Sequence, residues 1–341
     1  MRALVWEAPR VMALRERAEP QAEPGTVVLK VAYAGICGSE LSGYLGHSTL
    51  RVPPLVMGHE FAGHIVALGE GAGARNPRLS EGLAVTANPL SSCGACELCA
   101  RGMSHLCGSR RLIGAHLPGA YAEYVGVPAE LVVPLLAGVS PRTGALTEPA
   151  AVGVRIGELA GPLAGQDALV LGAGPIGLLA LQALRLRGAA RVFIADLDPA
   201  RLDMAADLGG EPLDPRTLDV ARAVRAATGG YGVPVAVDAV GTARTRGTCV
   251  SATRSGGTLI LSGLHEESGV MPAAEIIRRE IVVRGSFAYS PENFATALEY
   301  LARGTLRLDP WIVEAPLAEG GAWFDRLIEA PGAVAKVLLV P

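Results

Sequence analysis

The sequence has few charged residues and almost no lysine. Charged side chains make up 18% of the 341 residues, and the formal net charge is -3. Lysine occurs only as Lys30 and Lys336, and the arginines are scattered along the chain rather than gathered in blocks. Without a basic excess, no part of the chain is expected to collect nucleic-acid phosphates or anionic lipids. Nucleic acids and membrane surfaces are therefore not expected as partners.

The sequence also lacks a secretory signal and an uninterrupted membrane span. Its first ten residues, MRALVWEAPR, contain neither a long apolar core nor a small-residue cleavage site. The longest apolar run, 168–184, is short for a span and is broken by three glycines, a proline and a glutamine. We therefore expect a cytoplasmic protein, in which cysteine thiols stay reduced.

The remaining composition is that of a globular protein with about two domains. Half of the residues are hydrophobic, and a chain of this length can bury two cores. Residues 1–147 are rich in glycine and proline and carry short β-branched runs at 27–31, 65–68 and 124–127, which predicts a β-rich domain. From residue 148 to 286, strand and helix patterns alternate. This alternation predicts a doubly wound parallel sheet and an α/β fold class.

Individual elements of the second domain can be placed from glycine, proline and capping signals. Strands are expected at 168–171, 191–195, 235–238, 258–261 and 281–283, and helices at 149–160, 175–187, 200–208 and 291–301. Ser290 and Pro291 have the residue types of an N-cap and a first helical position. The segment 287–341 ends in an apolar strand at 334–340, which we expect to return to the first domain.

A glycine-rich turn lies between the first strand of this domain and its first helix. In the sequence GAGPIG, Gly172, Gly174 and Gly177 have the GxGxxG spacing, and Pro175 and Ile176 complete the motif. Glycines at these positions permit a tight turn and let backbone N–H groups approach a pyrophosphate at the helix N-terminus. The alternative is that the glycines only allow close packing of the strand and helix.

An aspartate and an arginine follow this turn in the sequence, and both bear on the choice between NAD and NADP. Asp196 lies nineteen residues after Gly177, at the end of the next strand, where it can accept hydrogen bonds from ribose hydroxyls. Its charge would repel a 2′-phosphate, so NAD is favoured as cofactor. Arg201, one turn into the following helix, leaves NADP open as the less favoured choice.

Four of the six cysteines lie between residues 93 and 107. They follow the spacing C-x2-C-x2-C-x7-C and are Cys93, Cys96, Cys99 and Cys107. Four thiolates suit a tetrahedral zinc ion that has no open position, which is a structural rather than a catalytic site. A disulfide pair and an iron–sulfur cluster are the alternatives.

A second group of potential ligands is spread more widely. Cys37 lies in GICGSEL and His59 in GHEFAG, and either Glu60 or Glu148 could add a carboxylate. Three such ligands would leave a fourth position open for water or a substrate oxygen, as in catalytic zinc sites. From the residues alone, an isolated cysteine or histidine can equally be an ordinary buried side chain.

The chain resembles the zinc-dependent medium-chain dehydrogenases, in the branch of sorbitol, butanediol and threonine dehydrogenases. The resemblance runs essentially end to end. It rests on GICGSEL (35–41), GHEFAG (58–63), the four-cysteine segment, GAYAEYV (119–125), LTEPAAVG (146–153), GAGPIG (172–177) and VDAVG (237–241). It implies a GroES-like catalytic domain, a Rossmann domain, an active-site cleft between them, and homodimers or homotetramers.

Carried over by matching positions, the resemblance assigns roles to individual residues. It makes Cys37, His59 and Glu148 ligands of a catalytic zinc, Glu60 a neighbouring or exchanging ligand, and Ser39 the hydroxyl that hydrogen-bonds the substrate oxygen. The implied reaction transfers a hydride between a secondary alcohol, such as a polyol or sugar alcohol, and NAD. Threonine, a phosphorylated polyol, a zinc-free reductase and a nonenzymatic dinucleotide-binding protein are the alternatives.

Some positions depart from the family pattern. Ser42 stands where many relatives have a histidine that ends a proton relay, and His47 could replace it. Arg155 also stands where many relatives have histidine, and either a ligand anion or exposure on the helix would account for it. The segment 43–52, with Tyr44 among its apolar residues, is expected to line the mouth of the cleft, and Arg51 to lie at its rim.

Overall fold

A computed structural model describes residues 1–341, which form eighteen strands and twelve α-helices. The strands are β1 (Arg2–Ala8), β2 (Val11–Glu16), β3 (Thr26–Gly35), β4 (Leu55–Val56), β5 (Glu60–Leu68), β6 (Ala84–Ala87), β7 (Leu90–Ser91), β8 (Arg111–Leu112), β9 (Tyr124–Pro128), β10 (Val132–Pro134), β11 (Asp167–Leu171), β12 (Arg191–Ala195), β13 (Glu211–Leu213), β14 (Val233–Asp238), β15 (Thr253–Leu261), β16 (Val282–Gly285), β17 (Ile312–Pro316) and β18 (Lys336–Val340). The helices are α1 (Gly38–Tyr44), α2 (Ala72–Arg75), α3 (Glu97–Ala100), α4 (Pro141–Gly144), α5 (Thr147–Ala160), α6 (Pro175–Leu186), α7 (Pro199–Asp207), α8 (Val220–Ala227), α9 (Ala243–Ala252), α10 (Ala273–Arg278), α11 (Pro291–Ala302) and α12 (Gly320–Glu329).

The elements divide into two compact units. The first unit comprises Met1–Glu148, Ser290–Thr305 and Asp309–Pro341, and the second comprises Pro149–Tyr289 and Leu306–Leu308. No helix combines the length and apolar character that crossing a bilayer requires.

The first unit is built around a seven-stranded sheet. Six strands follow the order β10-β6-β5-β3-β18-β17, and β9 also pairs with β3. Strands β3 and β5 are antiparallel, so the end of β3 lies beside the start of β5, with Gly35 opposite Glu60. The C-terminal strand β18 pairs with β3 through Leu338 and Leu339. It begins at Lys336, two residues later than the expected start at 334.

Aromatic side chains join the helices of the first unit to its core. Phe324 on α12 is fully buried, with its ring centroid 5.2 Å from that of Tyr44 and 6.0 Å from that of Tyr121, both in edge-on arrangements. Such edge-to-face pairs are favourable beyond the area they bury. Tyr44 therefore belongs to the core, where only 2% of it is exposed. The expectation that it lines a cleft mouth is wrong.

The second unit contains a six-stranded, entirely parallel sheet. Its order is β13-β12-β11-β14-β15-β16, so the chain moves outward in one direction from β11 and then crosses to the other side at β14. This is the doubly wound arrangement expected from the sequence. Strand β11 is buried along almost its whole length, as parallel sheets covered on both faces require.

Helix ends in both units follow local chemistry. Helix α11 begins at Pro291 because Ser290 Oγ accepts a hydrogen bond from the Asn293 backbone N–H. Helix α7 begins at Pro199, one residue before the expected start, since Asp198 acts as the N-cap. Helix α5 starts at Thr147 rather than at 149, which still leaves Pro149 within its first turn.

Candidate active site and metal centres

The pairing of β3 with β5 brings three potential metal ligands together. Cys37 is the N-cap of α1, just after β3, and His59 and Glu60 stand at the start of β5. The ligand atoms of Cys37, His59 and Glu60 all lie within 4.8 Å of one another. A thiolate, an imidazole and a carboxylate are donor types that bind zinc. The donor types and their proximity therefore fit a zinc ion.

Glu40 holds the imidazole of His59 in place. Its Oε1 lies 2.7 Å from His59 Nδ1 and also accepts the Gly58 backbone N–H at 2.9 Å. Its Oε2 accepts the Cys37 backbone N–H at 3.1 Å and the hydroxyl of Tyr121. Because Nδ1 faces a carboxylate, Nε2 remains as the nitrogen that can bind a metal.

Both members of the buried Glu40–His59 pair have shifted pKa values. Burial would raise the pKa of Glu40, but the charge of His59, the His59 hydrogen bond and smaller effects of Arg51 and Tyr121 lower it to about 2. Burial would lower the pKa of His59, but the charges of Glu40 and Cys37 raise it well above its usual value. Glu40 is therefore a carboxylate at any physiological pH.

Glu60 is engaged by a buried lysine. Lys336 Nζ lies 2.8 and 2.7 Å from the two carboxylate oxygens of Glu60 and donates to the Ile36 carbonyl at 3.0 Å. The two charged side chains are 2% and 1% exposed. Burial would lower the pKa of Lys336, but the charges of Glu60 and Cys37 raise it.

Glu148 lies outside the three-ligand cluster. It is in the first turn of α5, and its charge contributes to the raised pKa of Lys336. Lys336 is therefore surrounded by negative groups, and it partly neutralises the carboxylates that could bind a cation. Glu60 and Glu148 are both candidates for the carboxylate ligand.

Ser39 stands exposed beside this cluster. Its hydroxyl donates to Cys37 Sγ at 3.5 Å and accepts a hydrogen bond from Arg51 Nη2 at 3.2 Å. Arg51 is only 4% exposed, so the expectation that it lies at a rim is wrong. Ser42 and His47 are exposed, and neither forms a side-chain hydrogen bond with Ser39. Arg155 pairs instead with Glu158 at 2.8 Å on its own helix.

The four-cysteine segment forms a compact sulfur cluster between β7 and β8. The Sγ atoms of Cys96 and Cys99 are 3.5 Å apart, those of Cys93 and Cys107 are 3.5 Å apart, and those of Cys93 and Cys99 are 3.9 Å apart. Tetrahedral zinc with Zn–S bonds of about 2.3 Å requires sulfur–sulfur distances of about 3.8 Å. All six cysteines of the chain are free thiols, so no disulfide forms.

Backbone contacts favour the thiolate form of Cys93. Hydrogen bonds from the backbone N–H groups of Ala95 and Cys96 lower the pKa of Cys93 to about 6. The thiolate is the form that binds metals. At Cys96, a hydrogen bond from the Cys99 backbone lowers the pKa, but the side-chain hydrogen bond with Cys99 and burial outweigh it and raise the pKa to about 11. The sulfur–sulfur distances therefore fit a closed four-sulfur site.

In the second unit, the glycine turn leads directly into α6. Gly172 has φ +96°, a left-handed conformation that favours glycine, and Gly174 is the N-cap of α6 without a side-chain cap. A Cβ on Gly177 would collide with the Gly172 carbonyl. Pro175 and Ile176 form the first turn of the helix. The N-terminal N–H groups of this twelve-residue helix are thus available to a phosphate.

Asp196 and Arg201 both lie next to this turn. Asp196 Oδ2 accepts the Ala173 backbone N–H at 2.7 Å, and its Oδ1 accepts the Asp198 N–H at 2.9 Å. A Cβ on Gly174 would lie 3.9 Å from Arg201 Nη1, and Arg201 Nε is buried without a hydrogen-bond partner. Asp196 and Arg201, the two residues of opposite charge identified from the sequence, therefore both lie beside the glycine turn.

Three site residues were missed in the sequence analysis: Glu40, Tyr121 and Lys336. Glu40 lies inside GICGSEL, and its place at the third position of α1 is that of a capping glutamate. Lys336 stands in an otherwise apolar strand, which is a signal for a buried partner. Tyr121 carries no local signal.

Two family models match the chain. The one described as alcohol dehydrogenase GroES-like domain matches residues 23–137, and the one described as zinc-binding dehydrogenase matches residues 175–303. L-galactonate-5-dehydrogenase of Escherichia coli is 31% identical over 309 residues, which cover 91% of this chain and 89% of that protein. Sorbitol dehydrogenase of Halalkalibacterium halodurans is 33% identical, covering 96% and 95%.

A solved structure has the same fold. A Sinorhizobium meliloti protein solved with bound NADP superposes with a TM-score of 0.90 at 30% identity, and the match covers 100% of this chain and 99% of that one. The fold and the site thus define an alcohol dehydrogenase of the zinc-binding class. The chain belongs to the zinc-dependent medium-chain dehydrogenase/reductase family.

Proposed function

We propose that this enzyme transfers a hydride between a secondary alcohol of a polyol or sugar alcohol and NAD. The observation that carries the proposal is the cluster of Cys37, His59 and Glu60 beside the exposed hydroxyl of Ser39. A thiol, an imidazole and a carboxylate around one point, next to a group that can take up a proton, suit the oxidation of an alcohol.

The names of the relatives support the substrate class. One relative is a sorbitol dehydrogenase and another an L-galactonate-5-dehydrogenase. Sorbitol and galactonate both carry several secondary hydroxyls on an open carbon chain. An open-chain polyol is therefore the substrate class that we propose.

Each residue has a definite part in this proposal. Cys37 and His59 would hold the zinc ion, with Glu60 or Glu148 as the carboxylate ligand. Zinc, when bound, supplies a Lewis acid, and NAD supplies the hydride acceptor. Ser39 accepts the proton of the substrate hydroxyl. The secondary alcohol becomes a ketone, NAD becomes NADH, and one proton is released.

For the cofactor, we propose NAD in preference to NADP. Asp196 places a negative charge beside the glycine turn, where a 2′-phosphate would meet repulsion. Arg201 lies nearby, and its positive charge could offset part of this repulsion. Since the Sinorhizobium meliloti protein is bound to NADP, both cofactors need to be compared directly.

We further propose two zinc ions per chain, a homodimer or homotetramer, and a cytoplasmic location that keeps the thiols reduced. The two clusters of potential ligands support the zinc count. Strand β16, at the edge of the parallel sheet, has Val282 and Val283 exposed by 45% and 39%. An exposed apolar edge strand of this kind supports pairing with a second copy.

The proposal is tested by metal analysis together with a substrate screen. Two zinc ions per chain are expected, and NADH should form with at least one alcohol from a panel of diols, hexitols, sugar acids, hexitol phosphates and threonine. Cys37→Ala should abolish turnover and lose one zinc ion, while the four-cysteine site keeps the other. Turnover by a fully zinc-stripped enzyme would contradict the proposal, as would no turnover of any substrate by the zinc-loaded wild type.

A further inference from the structure

Arg51 is the only arginine in the chain that is buried. It is 4% exposed, and no carboxylate lies within ion-pair distance of its guanidinium. Every other arginine is at least partly exposed. Burying a charge without a directly bonded opposite charge is unfavourable, so such a residue is expected to serve a purpose other than stability.

The contacts of the guanidinium are concentrated on Ser39. Arg51 Nη1 donates to the Ser39 carbonyl at 3.1 Å, and Nη2 donates to Ser39 Oγ at 3.2 Å. Arg51 Nε donates to the Gly114 carbonyl at 3.3 Å. The planar guanidinium of Arg51 therefore hydrogen-bonds both the backbone and the side chain of Ser39.

The aliphatic part of the Arg51 side chain passes close to Gly43. A methyl group at position 43 would come within 2.9 Å of Arg51 Cδ, and Met57 Sδ borders the same space. Gly43 on α1 thus leaves the room through which the arginine reaches Ser39. A larger residue there would displace the guanidinium without changing its charge.

The arrangement limits how the Ser39 hydroxyl can act. A serine hydroxyl has one hydrogen to donate and two lone pairs that accept. Arg51 occupies one lone pair, and the hydrogen points to Cys37 Sγ at 3.5 Å. One lone pair remains on the exposed side chain for an incoming hydroxyl.

We propose that Arg51 is a positioning residue that holds Ser39 in the orientation needed to accept the proton of the substrate hydroxyl. The inference rests on the proposed function. As the substrate proton moves to Ser39 Oγ, the serine's own proton gives up its hydrogen bond to Cys37 Sγ and leaves toward solvent from the exposed side of the residue. The guanidinium neither gives nor takes a proton, because arginine stays charged at any working pH. Arg51 therefore orients Ser39 for the first proton transfer. It does not take the place of the relay histidine that many relatives have at the position of Ser42.

A double-mutant cycle tests whether Arg51 acts through Ser39. Lysine keeps the charge but loses the planar guanidinium, so Arg51→Lys should lower kcat about 10- to 100-fold, with KM for the alcohol and for NAD changed by less than about 3-fold. In a Ser39→Ala background, adding Arg51→Lys should change kcat by less than about 3-fold, because the group that it positions is already gone.

Two further variants control this result. Gly43→Ala should also lower kcat, because the added methyl group displaces Arg51. If Arg51→Lys fails to fold, Gly43→Ala is used in its place. Arg75→Lys, at an exposed surface ion pair with Glu130, should leave kcat unchanged. Zinc content and thermal midpoint, measured on every variant, should stay at wild-type values.

Three outcomes would overturn the inference. Multiplicative losses in the double mutant would show that Arg51 acts independently of Ser39, as would loss of zinc from Arg51→Lys. A loss confined to substrates with a carboxylate or phosphate would make Arg51 a binding group for an anion. A wild-type enzyme without activity contradicts the proposed function itself, whereas an active wild type with multiplicative losses contradicts only the role of Arg51.

Discussion

Around Cys37, four buried side chains form two pairs, each of an acidic and a basic group. Glu40 faces His59 at 2.7 Å, and Lys336 faces Glu60 at 2.7 Å. Such pairs add little net stability compared with well-packed apolar residues, but losing one partner leaves an uncompensated charge. The pairs are therefore better explained by the site they build than by the stability they add.

At the scale of single residues, Lys336 is the most direct test of this pairing. Lys336→Met should destabilise the protein by about 3–5 kcal/mol, because the Glu60 carboxylate stays buried without its ammonium partner. The free energy of unfolding from urea denaturation measures the change. Lys30→Met, at the exposed second lysine, is the matched control and should change stability by less than about 0.5 kcal/mol.

A second variant separates charge from packing. Adding Glu60→Leu to Lys336→Met removes both charges, so the double variant should be more stable than Lys336→Met alone. If Lys336→Met unfolds at the same urea concentration as the wild type, the ion pair does not carry the role assigned to it.

At the scale of elements, α1 is fixed to α12 by one tyrosine. The Tyr44 hydroxyl donates to Asp325 Oδ1 at 3.0 Å, and it lies 2.9 Å from the Arg10 carbonyl. Burial, the hydrogen bond to Asp325 and its charge raise the pKa of Tyr44 to about 12. Because α1 carries Ser39, this contact also supports the position of that proposed site residue.

The raised pKa predicts how stability depends on alkaline pH. In the unfolded chain Tyr44 ionises near pH 10, whereas in the folded protein it stays protonated to about pH 12. The unfolded state therefore loses its proton first, and stability should fall as the pH rises from 10 to 12. Tyr44→Phe should show a shallower fall over that interval when unfolding is measured at several pH values. An equal slope in both proteins would count against the folded-state shift.

At the scale of the whole molecule, the two kinds of site lie in different units. Both clusters of potential zinc ligands belong to the first unit, and the glycine turn, Asp196 and Arg201 belong to the second. Each unit has its own sheet and its own buried cluster. Metal binding and dinucleotide binding are therefore expected to depend on separate sets of residues.

This separation predicts the effect of removing zinc. A strong chelator should abolish turnover, while NADH binding, followed by fluorescence titration, should weaken by less than about threefold, or about 0.7 kcal/mol. Asp196→Ala is the reciprocal control and should weaken NADH binding while the zinc content stays at the wild-type value. A chelated protein that no longer binds NADH would show that the two functions are not separate.

Local features could be predicted from the sequence because they depend on neighbouring residues. The four cysteines fall within fifteen residues, and the glycine turn stands between a strand and a helix that are continuous with it. The doubly wound sheet was also predicted, since alternating strands and helices leave few other arrangements. Helix starts differed by one or two residues, because Asp198 caps α7 and Thr147 opens α5.

By itself, the sequence determined the classes of side chain available, the glycine turn, the cysteine cluster and the doubly wound type of the sheet, because these follow from spacing along the chain. Only the tertiary structure decided which distant groups meet. Lys336 reaches Glu60 across 276 residues, and Arg51 turns inward to Ser39 rather than outward. These contacts depend on strand pairing and on the space left at Gly43, and neither is a property of a local pattern.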